Sequence, residues 1–206
     1  MFQDREDAAR QLAARLSAYR GQNPLILAIP RGAVPMGKLL AELLGGEFDV
    51  VLVRKLRAPW QPELAIGAID ESGWSTIAPY AAEVGADQDY LAQEKHRQLD
   101  TLRWRRVRYS PLRPPIDPAG RTVIVVDDGL ATGSTMIAAL HGLRQRQPLQ
   151  LVCAVPVSSP EALEKIRPMA DAVVCLHTPR HFQAVGQFYR HFPQVEDEQV
   201  IALLGG

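Results

Sequence analysis

The chain has 206 residues, which suits one α/β domain with a sizeable core and is marginal for two. Its 23 basic and 23 acidic residues cancel to a formal net charge of zero, which argues against a bulk electrostatic drive toward nucleic acid or an anionic membrane. The two cysteines, Cys153 and Cys175, each sit in an apolar run that reads as a strand, so reduced core residues are expected rather than a disulfide or a metal site.

Met1 to Arg10 is charged and lacks the apolar run of a signal peptide. No stretch approaches the roughly 20 apolar residues of a membrane span, so a cytoplasmic protein with no membrane partner is expected. Residues 4 to 20 carry Ala8, Ala9, Leu12, Leu16 and Tyr19 at helical spacing, closed by Gly21 and Asn23-Pro24. Leu25 to Ile29 reads as the first strand of a sheet, stopped by Pro30-Arg31-Gly32, and Ala33 to Leu44 as the helix that follows. This turn offers free amides at a helix start and, in Arg31, a guanidinium able to grip phosphate oxygens in bidentate fashion. A surface arginine in an ordinary strand-to-helix turn is the plainer alternative.

Phe48 to Val53 reads as the next strand, with Arg54 and Lys55 at its end. Two adjacent cations repel unless solvent or an anion lies between them. Ala65 to Asp70 and Trp74 to Ile77 form a β-excursion around Glu71-Ser72-Gly73. Residues 87 to 108 then make a long helix. Its C-terminal half, extended to Arg113, sets Arg97, Arg103, Arg105, Arg106, Arg108 and Arg113 against a single acid, Asp100. Cations are favourable near a helix C-terminus, and a basic patch with Trp104 among it also suits RNA. Pro111, Pro114, Pro115 and Pro118 with Gly120 make a rigid connector.

The connector leads into Val123 to Thr135, where four β-branched apolar residues precede Asp127-Asp128-Gly129-Leu130-Ala131-Thr132-Gly133-Ser134-Thr135. The apolar run reads as a strand buried on both faces of a parallel sheet, and helical spacing resumes at Met136. Small residues let backbone amides crowd around an anion, hydroxyls add donors, and the helix start adds positive potential. A bare phosphate site gains nothing from adjacent acids, since like charges at 4 Å repel by about 1 kcal/mol even in water. Asp127 and Asp128 therefore suit the hydroxyls of a sugar whose phosphate enters the loop. No lysine follows Gly133 as a P-loop requires, and no Gly-x-Gly-x-x-Gly run occurs.

A hydrophobic strand, Asp-Asp and a Thr-Gly-Ser-Thr turn resemble the phosphoribosyl pyrophosphate (PRPP) motif of type I phosphoribosyltransferases, most closely their uncharacterised stand-alone bacterial members. The resemblance implies an α/β, Rossmann-like fold: a central parallel sheet flanked by helices, a small hood and a helical insertion. It implies that Asp127 and Asp128 bind the ribose hydroxyls, and that Gly129, Ala131, Thr132, Gly133, Ser134 and Thr135 hold the 5-phosphate. Arg31 and Gly32 take the place of the pyrophosphate loop, where the family uses an unusual peptide conformation beside a glycine. Arg54 and Lys55 lead into a mobile loop that meets the pyrophosphate, Lys55 ahead of Arg57 by its place relative to the strand. With Asp127 and Asp128, Arg54 and Lys55 are the catalytic candidates. The implied cofactor is Mg²⁺, carried by PRPP and bridged to the two acids by water rather than ligated by them. Homodimers are frequent in the family, though nothing in the chain identifies an interface.

Beyond the motif, Met136 to Gln147 reads as a helix, Leu149 to Val157 as a strand, Glu161 to Met169 as a helix begun by Pro160, and Ala172 to Leu176 as the last strand. Alternating strand and helix predict right-handed crossovers and a parallel sheet. His177 and His181 lack a zinc spacing because Pro179 breaks the helical face between them. Phe182, Phe188 and Tyr189 suit either the core or stacking on a ring, and this tail or the N-terminal helix supplies the expected hood. The whole is one domain over 1–206, with a core of about 24–178, an insertion of about 71–118 and a tail of 179–206. The expected reaction displaces pyrophosphate from PRPP by a nitrogen nucleophile such as a nucleobase. The alternative is a non-catalytic PRPP or nucleotide sensor that binds RNA through its arginines.

Overall fold

The computed structural model describes residues 1–109 and 115–205. Five strands form a parallel sheet in the order β2-β1-β6-β7-β8: β1 (Leu25–Ala28), β2 (Glu47–Val50), β6 (Thr122–Val126), β7 (Gln150–Val157) and β8 (Ala172–His177). The continuous apolar runs are buried on both faces. In β1, Ile26 and Ala28 join the core under α1 (Arg5–Arg15) and α2 (Val34–Leu44), while Leu25 and Leu27 join the core under α4 (Ser134–Gln145). β6 alternates in the same way, with Ile124 and Val126 on one side and Val123 and Val125 on the other. α1 packs on α2, and its buried face of Ala8, Ala9, Leu12 and Ala13 is mostly small, which lets the backbones approach.

A second sheet of three antiparallel strands, β3 (Val53–Arg57), β4 (Ala65–Asp70) and β5 (Ser75–Ile77), lies between α4 and the 22-residue α3 (Gln88–Tyr109). This corrects the single strand expected over Phe48 to Val53. The chain leaves the parallel sheet at Val51, whose amide still donates to Ala28 O at 3.1 Å, and re-enters β structure at Val53. The buried Asp49 marks the exit. Its Oδ1 accepts from Val50 N and its Oδ2 from Ile116 N, anchoring the far side of the connector. Pro111, Arg113 and Pro114, assigned above to the connector and the basic helix, lie outside the described residues.

α5 (Pro160–Ile166) is capped by Ser159 with proline at its start, as its sequence suggests, and α6 (Asp197–Gly205) closes the chain. The two ends of the chain meet. Phe2 pairs with the 188–190 segment through Phe2 N to Phe188 O and Arg190 N to Phe2 O, and its ring lies 5.3 Å from those of Tyr189 and His177. The two segments offered as alternatives for the hood therefore lie against each other.

Candidate active site

In the parallel sheet, β1 is flanked by β2 on one side and β6 on the other, so the chain reverses its direction of winding at β1. The loops after β1 and β6 must part there, leaving a crevice beyond the carboxyl ends of the strands. A cavity of about 240 Å³ fills it, lined by Pro30, Arg31 and Gly32 from the first loop, Asp127 to Gly133 with Thr135 from the second, and Lys55 and Val185. The Pro30–Arg31 peptide is cis.

The phosphate-type loop is held open from behind. Leu130 N donates to Val157 O at 2.9 Å, Ser159 N to Leu130 O at 2.9 Å, and Ser159 Oγ to Ala131 O at 2.7 Å. Gly133, at φ +77°, takes the left-handed conformation that begins α4, which a side chain would disfavour. Gly133 offers no side-chain cap to α4, and the amide of Ser134 meets only Thr132 Oγ1, at a long 3.4 Å, so the helix start suits an anion. Thr132 Oγ1 lies 3.0 Å from Ser134 Oγ, and Ser134 faces a second, larger cavity of about 530 Å³ that shares Ala131 and Thr132 with the first. Tyr80, just after β5, and Phe182 from the tail border this second space.

Asp127 and Asp128 are both deeply set. Burial, then the neighbouring Asp128, push the Asp127 carboxyl well above the usual carboxylate range, against one backbone hydrogen bond and the more distant Lys55 and Arg5. Burial also raises Asp128, opposed chiefly by Arg5. Two adjacent acids without a full set of counter-charges suit a ligand that brings hydroxyl donors and a cation of its own.

The cations divide. Strand alternation sends Lys55 toward the two acids, whereas Arg54 points to the opposite face. There Arg54 Nε donates to Gln98 Oε1 of α3 at 2.5 Å, and burial with the neighbouring Arg105 and Arg57 lowers its pKa to about 10. Arg54, expected in the site, is therefore not part of the cavity wall, because alternation along β3 turns it toward α3 while its neighbour Lys55 faces the cavity. Arg31 lines the cavity, yet its Nη1 also reaches Glu196 Oε2 at 3.1 Å and Asp197 Oδ2 at 3.7 Å at the start of α6. The basic face of α3 is likewise not left against a single acid. Arg97 pairs with Glu94, Arg105 with Asp197, Arg106 with Glu71 and Arg108 with Glu198. That internal pairing weakens the case for an RNA surface.

Sequence reasoning missed Arg5 and Val185 at the site, and it named Tyr189 only for core packing or stacking on a ring. Arg5 donates from both Nε and Nη2 to Asp128 Oδ2, at 3.0 and 2.9 Å. Tyr189 donates to Asp128 O at 2.6 Å, and Val185 meets Gly129 closely enough that a Cβ there would collide. A local signal existed for Arg5. It opens α1 in Asp4-Arg5-Glu6-Asp7, at the helix end where acids are favoured and a cation is not, which points to a tertiary partner.

A family model described as the phosphoribosyl transferase domain matches residues 2–192. The Mycobacterium tuberculosis protein named "Putative phosphoribosyl transferase Rv0571c" is 41% identical over 206 residues, covering 99% of this chain and 46% of that protein. The chain thus spans about half the length of this curated relative. A uracil phosphoribosyltransferase of Natronomonas pharaonis is 34% identical over 145 residues, covering 68% of this chain and 59% of the relative. Among solved structures, TT1426 from Thermus thermophilus is 47% identical with a TM-score of 0.81, over 98% of this chain and 97% of the other.

Proposed function

Because the chain belongs to the phosphoribosyl transferase domain family, we propose that its crevice binds PRPP with Mg²⁺ and transfers the phosphoribosyl group to a nitrogen nucleophile such as a nucleobase. The observation that carries this reading is the meeting, around one cavity, of a helix start with no side-chain cap at Gly133 and two half-buried carboxylates. The first suits a 5-phosphate and the second suits ribose hydroxyls.

In this reading, Ala131 to Thr135 anchor the 5-phosphate, Asp127 and Asp128 hold the ribose, and Arg31, the amide edge at Gly32 and Lys55 face the pyrophosphate. The bond from the anomeric carbon to the pyrophosphate oxygen breaks while the acceptor nitrogen bonds to the same carbon from the opposite side, inverting it. The pyrophosphate departs with the electron pair, and the proton of the acceptor nitrogen passes to solvent. Mg²⁺ on the diphosphate supplies charge neutralisation, and the chain supplies position and electrostatics around an oxocarbenium-like transition state. Arg54 is left out of this assignment because its guanidinium is engaged by Gln98. The second cavity, bordered by Tyr80 and Phe182 and sharing the phosphate loop, is the space offered to a flat acceptor.

Calorimetric titration of PRPP with Mg²⁺ into the wild type and the Asp127→Asn, Asp128→Asn double variant tests the donor site. Binding in the wild type, weakened at least about 100-fold in the variant, is expected from the loss of charge-assisted hydrogen bonds to both hydroxyls. Absence of binding in the wild type would refute the donor site. If PRPP binds but no nitrogenous base consumes it, the chain is a sensor rather than a transferase.

A further inference from the structure

Three arginines lie on α1, and only Arg5 turns inward; Arg10 and Arg15 are exposed. Arg5 is 9% exposed, and the structure accounts for its whole guanidinium. Nε and Nη2 both reach Asp128 Oδ2, Nη1 donates to Pro193 O at 2.7 Å, and the guanidinium carbon sits 3.8 Å from the centre of the Phe192 ring. A residue whose task was to staple the chain ends would need only the last two contacts. The first two are directed at one oxygen of one acid in the crevice.

Asp128 is constrained from three sides. Its Oδ2 is taken twice by Arg5, its carbonyl accepts from Tyr189, and its amide donates to Asp127 Oδ1 at 2.9 Å. Gly32 completes the enclosure, since a Cβ there would overlap Asp128 Oδ2 and lie 3.2 Å from Arg5 Nη2. Left without Arg5, a carboxylate beside Asp127 would turn away from its neighbour's charge. With Oδ2 taken by Arg5, Oδ1 is the oxygen left to accept from a ligand, on a residue that lines the cavity.

We propose that Arg5 is a positioning residue: by occupying Oδ2 it fixes the Asp128 carboxylate so that Oδ1 accepts from a single ribose hydroxyl, and thereby sets the selectivity of the site for an intact ribose. The inference rests on the donor-site reading above. It assigns to the N-terminal helix and the 189–193 segment a part in sugar recognition that lies outside both loops of the crevice.

The test measures dissociation constants of the full chain for ribose 5-phosphate, its 2-deoxy and 3-deoxy analogues, and inorganic phosphate, in the wild type, Arg5→Met and Arg5→Lys. The wild type is expected to reject at least one deoxy analogue by about tenfold or more, the value of a hydrogen bond to a charged group. In Arg5→Met that ratio falls below about threefold while inorganic phosphate binds as before. Arg5→Lys keeps the charge but cannot bond Oδ2 twice and Pro193 O together, so it retains an intermediate ratio. An unchanged ratio in Arg5→Met, or equal weakening of all four ligands, would overturn the inference while leaving the donor site standing. Should Arg5→Met fail to fold, an unchanged ratio in Arg5→Lys overturns it equally. A wild type that binds none of the sugar phosphates removes the donor site, and the role of Arg5 falls with it.

Discussion

The parallel sheet buries Leu25–Ala28, Val123–Val126 and Leu151–Val157 without a break, and its loops spring from strand ends that have no freedom to move. The three-stranded sheet is fastened differently. Its β3 edge hangs on a polar network in which buried Glu94 accepts from Arg57 N at 3.1 Å and from Gln98 Nε2 at 2.8 Å, Gln98 accepts from Arg54, and Tyr90 donates to Arg57 O. Its other end is fixed by Trp74 stacked on His141 of α4 at 3.7 Å. The first sheet carries the two loops of the crevice on a close-packed base. The second delivers Lys55 on an element that joins the buried Leu56, Ile66 and Ile69 to buried polar ties with α3, so loss of those ties should loosen it while the sheet beneath stays folded.

This contrast is exposed most severely by Ile124→Ala, which opens a void in the middle of the parallel sheet. A loss of about 3 kcal/mol or more in a single cooperative denaturant transition is expected. Glu94→Ala should cost less, about 2 kcal/mol, by stranding Arg57 N and Gln98. Its amide hydrogen exchange should quicken in β3 to β5 while β1, β6 and β7 keep their protection. Uniform acceleration across both sheets would erase the distinction.

Asp127→Asn sharpens the comparison from the side of function. Burial raises the native pKa of Asp127, so the folded chain binds this proton more tightly than the unfolded one. Stability is therefore lost as pH rises from the unfolded value near 4 through the raised native value. The asparagine variant lacks that slope. It should be more stable than wild type at neutral pH, with the advantage vanishing below about pH 4, while its ribose contacts weaken. A destabilised variant at pH 7 would mean that the charge is compensated within the fold. The smallest effect is expected from Glu196→Gln with Asp197→Asn. Freed from these acids, Arg31 should bind inorganic pyrophosphate roughly threefold more tightly at low salt, consistent with partly exposed ion pairs, and the gain should fade as salt is added.

The same division governs what could be read before folding. β1, β6, β7 and β8 are legible because unbroken apolar runs end at glycine, proline or serine, and the loop from Asp127 to Thr135 is legible because its chemistry is local. β3 is not. Val51 and Leu52, where the chain changes sheets, carry no turn residue, so two strands read as one. That error passes directly to Arg54, since whether it or Lys55 faces the crevice depends on strand parity, and a shift of one residue exchanges the faces. The pairing of the α3 arginines with Glu71, Asp197 and Glu198 joins residues too far apart in sequence for any local pattern to reveal. Arg5 and Asp128 are 123 positions apart, and only the misplaced charge at the start of α1 hinted at the connection.

The clasp between the chain ends also bears on when, during folding, the crevice is finished. The contact from Arg5 to Pro193 closes a loop of 188 residues. Closure entropy grows by about 0.6 kcal/mol with each doubling of loop length, so this contact forms at the highest entropic cost of any in the site. The β6 loop needs only its neighbours β1 and β7 to take shape. A phosphate cradle can therefore exist on a chain whose ends are still apart, whereas the carboxylate beside it acquires its guanidinium only after they meet. Competence for the sugar would then trail competence for the phosphate, and a refolding experiment read with two ligands would see them return in that order.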